Sequence, residues 1–184
     1  MDPEESLRGQ LLIASPALLD PNFARTVVLV VEHNDEGAMA VVLNRPTTAS
    51  VAEAVPALED LVDDDEPIFA GGPVEPAAVV VLAEFDDTDA AAALVFGDLG
   101  FLRADADPSV LESAARRFRV FAGYAGWGEG QLEAELALPS WFVETPELED
   151  VFTDDPEHLW NAVLRRKGGQ FALIATMPPD PSLN

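Results

Sequence analysis

Acid–base chemistry in this chain has few candidate groups: two histidines, His33 and His158, and no cysteine. An imidazole working with carboxylates is the arrangement those residues allow. Glu133 and Glu135 flank a Leu132/Leu136 stripe on a predicted helix, and either can face a cleft. Paired carboxylates act as acid and base when burial separates their pKa values. A hydrolase using Glu133 or Glu135 with His33 is therefore one reading. The competing expectation for His33 is a hydrogen bond to its own turn, Asn34-Asp35-Glu36-Gly37. His158 falls near the start of a predicted helix. None of the seven serines lies in a G-x-S-x-G elbow, and the lack of cysteine removes Cys–His catalysis and thiolate metal sites. No D-x-[DN]-x-[DN]-G loop or H-E-x-x-H segment occurs, and Asp63-Asp64-Asp65-Glu66 reads as a solvated charged loop. Neither a metal nor a cofactor is expected.

Three segments suggest binding rather than catalysis. In Leu43-Asn44-Arg45-Pro46, hairpin pairing sets Arg45 opposite Thr26, or opposite Arg25 if the register slips by one residue. Two of only ten basic residues then meet at one sheet edge as a candidate anion site. Gly71-Gly72-Pro73 is too short for a phosphate loop. It supplies either a tight turn, a close backbone approach, or N–H groups beside a ligand. The run from Gly123 to Glu135 sets Tyr124, Trp127 and Gln131 among four glycines between a strand and a helix. The candidate ligand-binding set is therefore Arg25, Asn44, Arg45, Gly71, Gly72, Tyr124, Trp127 and Gln131.

Net charge narrows the partners. With 34 Asp+Glu against 10 Lys+Arg the chain carries −24. Nucleic-acid affinity rests on cations that neutralise phosphates, so direct DNA binding is disfavoured, as are anionic membrane surfaces. A small anionic ligand or a protein partner remains. The dense basic groups, Arg116-Arg117-Phe118-Arg119 and Arg165-Arg166-Lys167, each follow a predicted helix, where they would compensate its dipole. Apolar runs are no longer than a strand, well short of the roughly 20 residues of a membrane span. The acidic start Met1-Asp2-Pro3-Glu4-Glu5 lacks the basic region of a secretory leader. A cytoplasmic protein is the expectation.

The elements that must hold these residues are mostly strands. The 184 residues are expected to form one domain, spanning 1–184. Thr26–His33 and Ala38–Leu43 are unbroken apolar runs joined by a turn, hence a hairpin buried on both faces. Further strands are expected at 10–15, 68–70, 77–85, 93–96, 100–104, 120–124 and 141–144. Helices are expected over 50–61 (broken at Pro56), from Asp107-Pro108 through Phe118, over 130–137, and from Asp155-Pro156 to Gly168-Gly169. Gly126-Trp127-Gly128 is expected to be a turn, and 171–177 fits strand and helix equally. Strands outnumber helices, which argues for an α+β fold with a mixed, mostly antiparallel sheet.

Leu11-Leu12-Ile13-Ala14-Ser15-Pro16, Asp20-Pro21-Asn22-Phe23, Glu32-His33-Asn34, Gly37-Ala38-Met39, Asn44-Arg45-Pro46, Gly71-Gly72-Pro73 and Gly123-Tyr124 through Glu135 resemble, in that order, the YqgE/AlgH family of bacterial proteins. The resemblance runs from Arg8 to Trp160. It implies an α+β domain whose bifurcated, strongly twisted sheet forms a pseudo-barrel flanked by helices. It also brings a transcriptional-regulator label that no DNA-binding motif in the chain supports, and it implies little about activity. Many members have a histidine where this chain has Ala83, and glycine where it has Ala40. The ending Met177–Asn184 differs from the Gly-His-Ala ending of some members.

Overall fold

The computed structural model describes residues 6–103 and 105–179. The acidic start 1–5, Ala104 and the end of the chain, 180–184, lie outside the described residues. Strand β1 (Leu11–Ala14) is buried throughout, as its unbroken apolar run requires. β2 (Val27–Asn34) and β3 (Gly37–Val42) form the expected antiparallel hairpin. Asn34 closes its turn by accepting the Glu36 N–H at 2.8 Å. A bulge shifts the pairing from Val30↔Ala40 to Glu32↔Met39. That shift is the one-residue slip which, extended past the strand ends, sets Arg25 opposite Arg45.

The chain continues through β4 (Pro46–Ser50) and α1 (Val51–Ala54), then a 3₁₀ turn over Pro56–Leu61, so Pro56 does break the helix. β5 (Pro67–Ala70), β6 (Val74–Phe85), β7 (Ala93–Phe96) and β8 (Leu99–Phe101) follow. Then come α2 (Ser109–Ala114), β9 (Ala115–Gly128), α3 (Gln131–Leu136) and β10 (Trp141–Glu144). Three helices complete it: α4 (Leu148–Val151), α5 (Leu159–Lys167) and α6 (Gln170–Ile174).

The expected helix through Phe118 stops at Ala114, because the β-ladder to β6 captures the chain from Ala115 onward. Arg116, Arg117 and Arg119 are consequently strand residues and compensate no helix dipole. Likewise Gly126-Trp127-Gly128 is not a turn; it pairs with Gly37–Met39 as the end of β9. Segment 171–177, undecided by periodicity, begins as α6.

Ten strands form one mixed, largely antiparallel sheet in the order β10-β1-β2-β3-β9-β6-β8-β7, with β4 on β5 and β5 parallel to β9. The sheet is not closed. It forks at β9, which pairs with β3 through its second half and with β5 through Phe121 and Ala122. Gly71 sits in the fork: its N–H donates to the Ala122 carbonyl at 2.8 Å and its carbonyl accepts from the Val42 N–H at 2.9 Å. A Cβ on Gly71 would lie 2.3 Å from the Gly123 carbonyl oxygen. Backbone thus packs directly on backbone, which only glycine permits. Gly123, at φ 71, turns β9 over at the same level. Phe121 therefore faces one core cluster while Ala125 and Trp127 face another.

On one face of the hairpin Leu11, Ile13, Val27, Leu29, Val31 and Val41 pack under Leu159, Trp160, Val163 and Leu164 of α5. Nine residues make too short a helix to stand alone, so this packing holds it. The opposite face, Leu12, Val28, Val30, Ala40 and Val42, is covered by Trp127, Leu132 and Trp141. A third cluster sets Val81, Ala83 and Phe85 against Leu58, Leu111 and Ala114. Ala83, where many family members have histidine, is fully buried in it.

Candidate functional site

The two carboxylates and the imidazole read as candidate catalytic groups converge on α3. The His33 side chain is only 2% exposed. Its Nδ1 accepts the Leu7 backbone N–H at 2.9 Å, so the ring proton sits on Nε2, which faces Glu133 Oε1 at 2.8 Å. The expectation that His33 bonds its own turn is corrected here. Asn34 does that, and His33 instead ties the segment before β1 to α3. The Glu133 carboxyl is held below the usual carboxylate range, first by its own backbone N–H and then by His33. His33 and Glu133 do lie within hydrogen-bond reach, as a hydrolase would need. Both ring nitrogens are already engaged, however, which leaves no lone pair to take a substrate proton.

Glu135 is tied more tightly. Its Oε2 accepts both the Trp127 and Trp141 indole N–H groups, each at 2.9 Å, and Oε1 accepts Gln131 Nε2 at 3.1 Å. Gln131 Oε1 in turn accepts the Gly128 N–H at 3.1 Å. Phe23 packs on both indoles, with ring centroids 6.1 and 5.7 Å away, and the indoles lie 6.1 Å apart. One carboxylate thus links the end of β9 to the edge strand β10. It also supplies the acceptor that two buried indole donors require.

The arginines are placed differently. Asn44 bridges the hairpin's open end, donating to the Arg25 carbonyl at 2.9 Å and accepting the Val27 N–H at 3.0 Å. Arg25 is held at φ 57, a left-handed conformation that costs a non-glycine residue about 1 kcal/mol or more. Its guanidinium lies 4.0 Å over the Trp160 ring, and Nη1 donates to the Met177 and Pro178 carbonyls at 3.1 and 3.4 Å. Arg45 turns elsewhere, donating to Pro21 O at 3.3 Å and Ala24 O at 2.8 Å. Although backbone register sets the two arginines opposite, their side chains diverge and form no joint positive hole.

A single cleft holding the whole candidate set is not what the fold builds. Arg45 and Gly72 line a cavity of 150 Å³ with Asn22, Val42, Ala70 and Pro73. Arg25 lines a separate cleft of 600 Å³ between α5 and residues 175–179. Gly71 is consumed in the sheet fork. Tyr124 reaches the exposed Glu75 carboxylate at 3.5 Å, and Trp127 and Gln131 belong to the Glu135 network.

Several charged residues that sequence reasoning did not place in a site are deeply engaged. Glu84, its side chain 8% exposed, receives Arg116 at 3.0 Å and Arg117 at 2.7 Å. The buried Asp150 takes a two-pronged contact from Arg166 at 2.9 and 2.7 Å. Arg119 is 9% exposed, stacks on Phe69 at 4.5 Å, and donates to the Val151 and Thr153 carbonyls. Burial lowers its pKa, and its Nε has no hydrogen-bond partner among the described residues. Their signal in the sequence was three arginines in four positions of what proves to be a strand, facing an acidic Glu84-Phe85-Asp86. Among the described residues no group of three or more His, Cys, Asp or Glu is arranged to hold a metal ion, and no helix is long and apolar enough to cross a membrane.

Comparison with known proteins agrees with this architecture. The AlgH-like family model matches residues 11–172. A UPF0301 protein of Streptomyces coelicolor is 45% identical over 190 residues, covering 100% of this chain and 98% of the relative. The crystal structure of a Corynebacterium diphtheriae protein superposes with a TM-score of 0.86 at 27% identity, covering 96% of this chain and 95% of that one. The solution structure of the AlgH protein from Pseudomonas aeruginosa gives 0.73 at 31% identity, covering 97% of each. With its forked sheet, and with relatives matched over nearly its whole length, the chain belongs to the AlgH-like family.

Proposed function

We propose that this protein is a non-enzymatic regulatory or binding protein that takes a small anionic ligand or a protein partner. The observation that carries the reading is the commitment of the candidate catalytic groups to the fold. His33 uses both ring nitrogens internally, and Glu135 accepts three N–H donors. A group that must exchange protons with substrate needs a free position within reach of it. In the alternative hydrolase, using Glu133 or Glu135 with His33, the imidazole has no free ring nitrogen with which to take the proton. A DNA-binding regulator is disfavoured by the charge of −24.

A metabolite screen and pull-down with the full chain tests the proposal. Saturable binding supports it. Hydrolysis that disappears in Glu133→Gln or His33→Gln, while the melting temperature holds, overturns it. Arg45→Ala should now weaken the fold as well as any ligand binding in its cavity. It removes two donors to the 21–24 turn, at about 1 kcal/mol for each hydrogen bond lost.

A further inference from the structure

Resting on the ligand-binding reading, we infer that the cleft between Arg25, α5 and residues 175–179 is an oxyanion site, with Arg25 and Arg165 as its cationic walls and Asn161 on its floor. The shared chemistry is a small carboxylate or phosphate.

Arg25 carries the argument. It stands in a chain with 34 carboxylates, yet no carboxylate pairs with it among the described residues. Its position is nevertheless built with care. A left-handed backbone, a side-chain clamp from Asn44 on its carbonyl and the Trp160 ring beneath it together fix the guanidinium. Strained non-glycine residues that the fold over-determines are found disproportionately at ligand clamps. Among the described residues only Nη1 is engaged, by two carbonyls. Nε and Nη2 remain as a donor pair of the geometry that matches an oxyanion.

Arg165 is the second cation of the same 600 Å³ cleft, and no carboxylate or carbonyl contact holds it among the described residues. Asn161 and Arg165 lie four residues apart on α5 and so share one face, while Glu157 lies in the 3₁₀ turn (Pro156–His158) just before it. Asn161 is anchored by donating to the Ala175 carbonyl at 2.6 Å, which ties the floor to the opposite wall. His158 also lines the cleft, but its Nδ1 is engaged by Asp155 at 2.8 Å. Among the described residues Glu157 is the one carboxylate in the lining, and it opposes an incoming anion. Two arginines with no carboxylate partner among the described residues therefore line one cleft, where the surrounding field would otherwise repel an anion. Partial desolvation of Arg25 against Trp160 strengthens whatever pairing it makes.

The test is a titration of the full chain with inorganic phosphate and, separately, succinate, against sodium chloride at matched ionic strength. Trp160 is a suitable reporter, since its indole N–H is fixed to the Ala14 carbonyl at 2.8 Å inside the core. Phosphate or succinate should move the Trp160 indole resonance and the amides of Asn161 and residues 175–177 saturably. The stronger of the two identifies the head group. Arg165→Gln, at an exposed position with no side-chain hydrogen bond among the described residues, should fold normally and weaken binding about ten-fold. Glu157→Gln should tighten it. Equal shifts with chloride, or no change in affinity on Arg165→Gln, overturn the site. Saturable shifts confined to Arg45 and Gly72 also overturn it but leave the ligand-binding reading standing. Silence towards both anions, followed by an empty metabolite and partner screen, removes both.

Discussion

Replacing Glu135 by alanine separates a structural carboxylate from a catalytic one by the sign of the stability change. The substitution strips the acceptor from the Trp127 and Trp141 indoles, which are only 6% and 5% exposed, and frees Gln131. A buried donor left without a partner costs about 1–3 kcal/mol. Glu135 is itself half-exposed, so water reaches part of the space it vacates, and the lower part of that range applies to each indole. The expected loss is then about 2–4 kcal/mol, and for a chain of this size about 4–16 °C in melting temperature. Glu135→Gln keeps an oxygen that can serve the indoles, but it sets an amide NH₂ against that of Gln131, so about half the loss should remain. Urea unfolding followed by tryptophan fluorescence reads both values, and the native spectrum should show the indoles wetter in the alanine variant. A Glu135→Ala protein within about 0.5 kcal/mol of the parent, or more stable than it, would refute the clamp. Added stability is what removal of a strained catalytic carboxylate produces.

Two other predictions concern glycines and acid. Gly71→Ala and Gly72→Ala drive a Cβ to 2.3 Å from Gly123 O and 2.2 Å from the Tyr124 backbone, and should each cost more than about 3 kcal/mol or prevent folding. Gly128→Ala meets nothing within 4 Å and should stay within about 0.5 kcal/mol of the parent in the same urea assay. In acid, Glu133, Glu149, Asp105 and Asp107 all titrate below the ordinary carboxylate range. The first cause is the backbone N–H for Glu133, Arg117 for Glu149, Arg103 for Asp105 and Ser109 for Asp107. Because their folded values are depressed, their contribution is whole above the unfolded value and is lost as pH falls through the folded one. The charge also changes sign near pI 4.1, so repulsion returns below it. Calorimetry on dilute protein should show the melting temperature falling steadily below about pH 4; a rise there contradicts the assignment.

Much of the fold is legible in local patterning. The β2–β3 hairpin follows from two unbroken apolar runs and an Asn-containing turn. The break at Pro56, and α5 with the 3₁₀ turn at Pro156 before it and Gly168-Gly169 after it, follow from backbone chemistry alone. The failures occur where long-range pairing overrules local preference. Leu111, Ala114, Ala115 and Phe118 have helical spacing, yet the ladder between β6 and β9 draws Ala115–Phe118 into a strand. Glycines at 126 and 128 look like a turn, but β3 pairs with them.

The candidate site divides in the same way. Residue types alone singled out Arg25, Asn44, Arg45, Gly71, Gly72, Tyr124, Trp127, Gln131, Glu133, Glu135 and His33, and nearly all of them prove to be engaged. What each engages was decided by tertiary structure. A side chain's partner depends on which distant backbone comes within about 3 Å of it, and no spacing along the chain encodes that. The sequence by itself determined the family, the strand-rich α+β class and the scarcity of cations that makes each arginine informative. Only the folded chain decided that Arg45 secures a turn, that Glu135 binds two indoles, and that Arg25 joins Arg165, 140 residues further along, in one cleft. Side-chain direction at a sheet edge is set by the helices and turns packed against it, here α5, the 21–24 turn and the segment after α6.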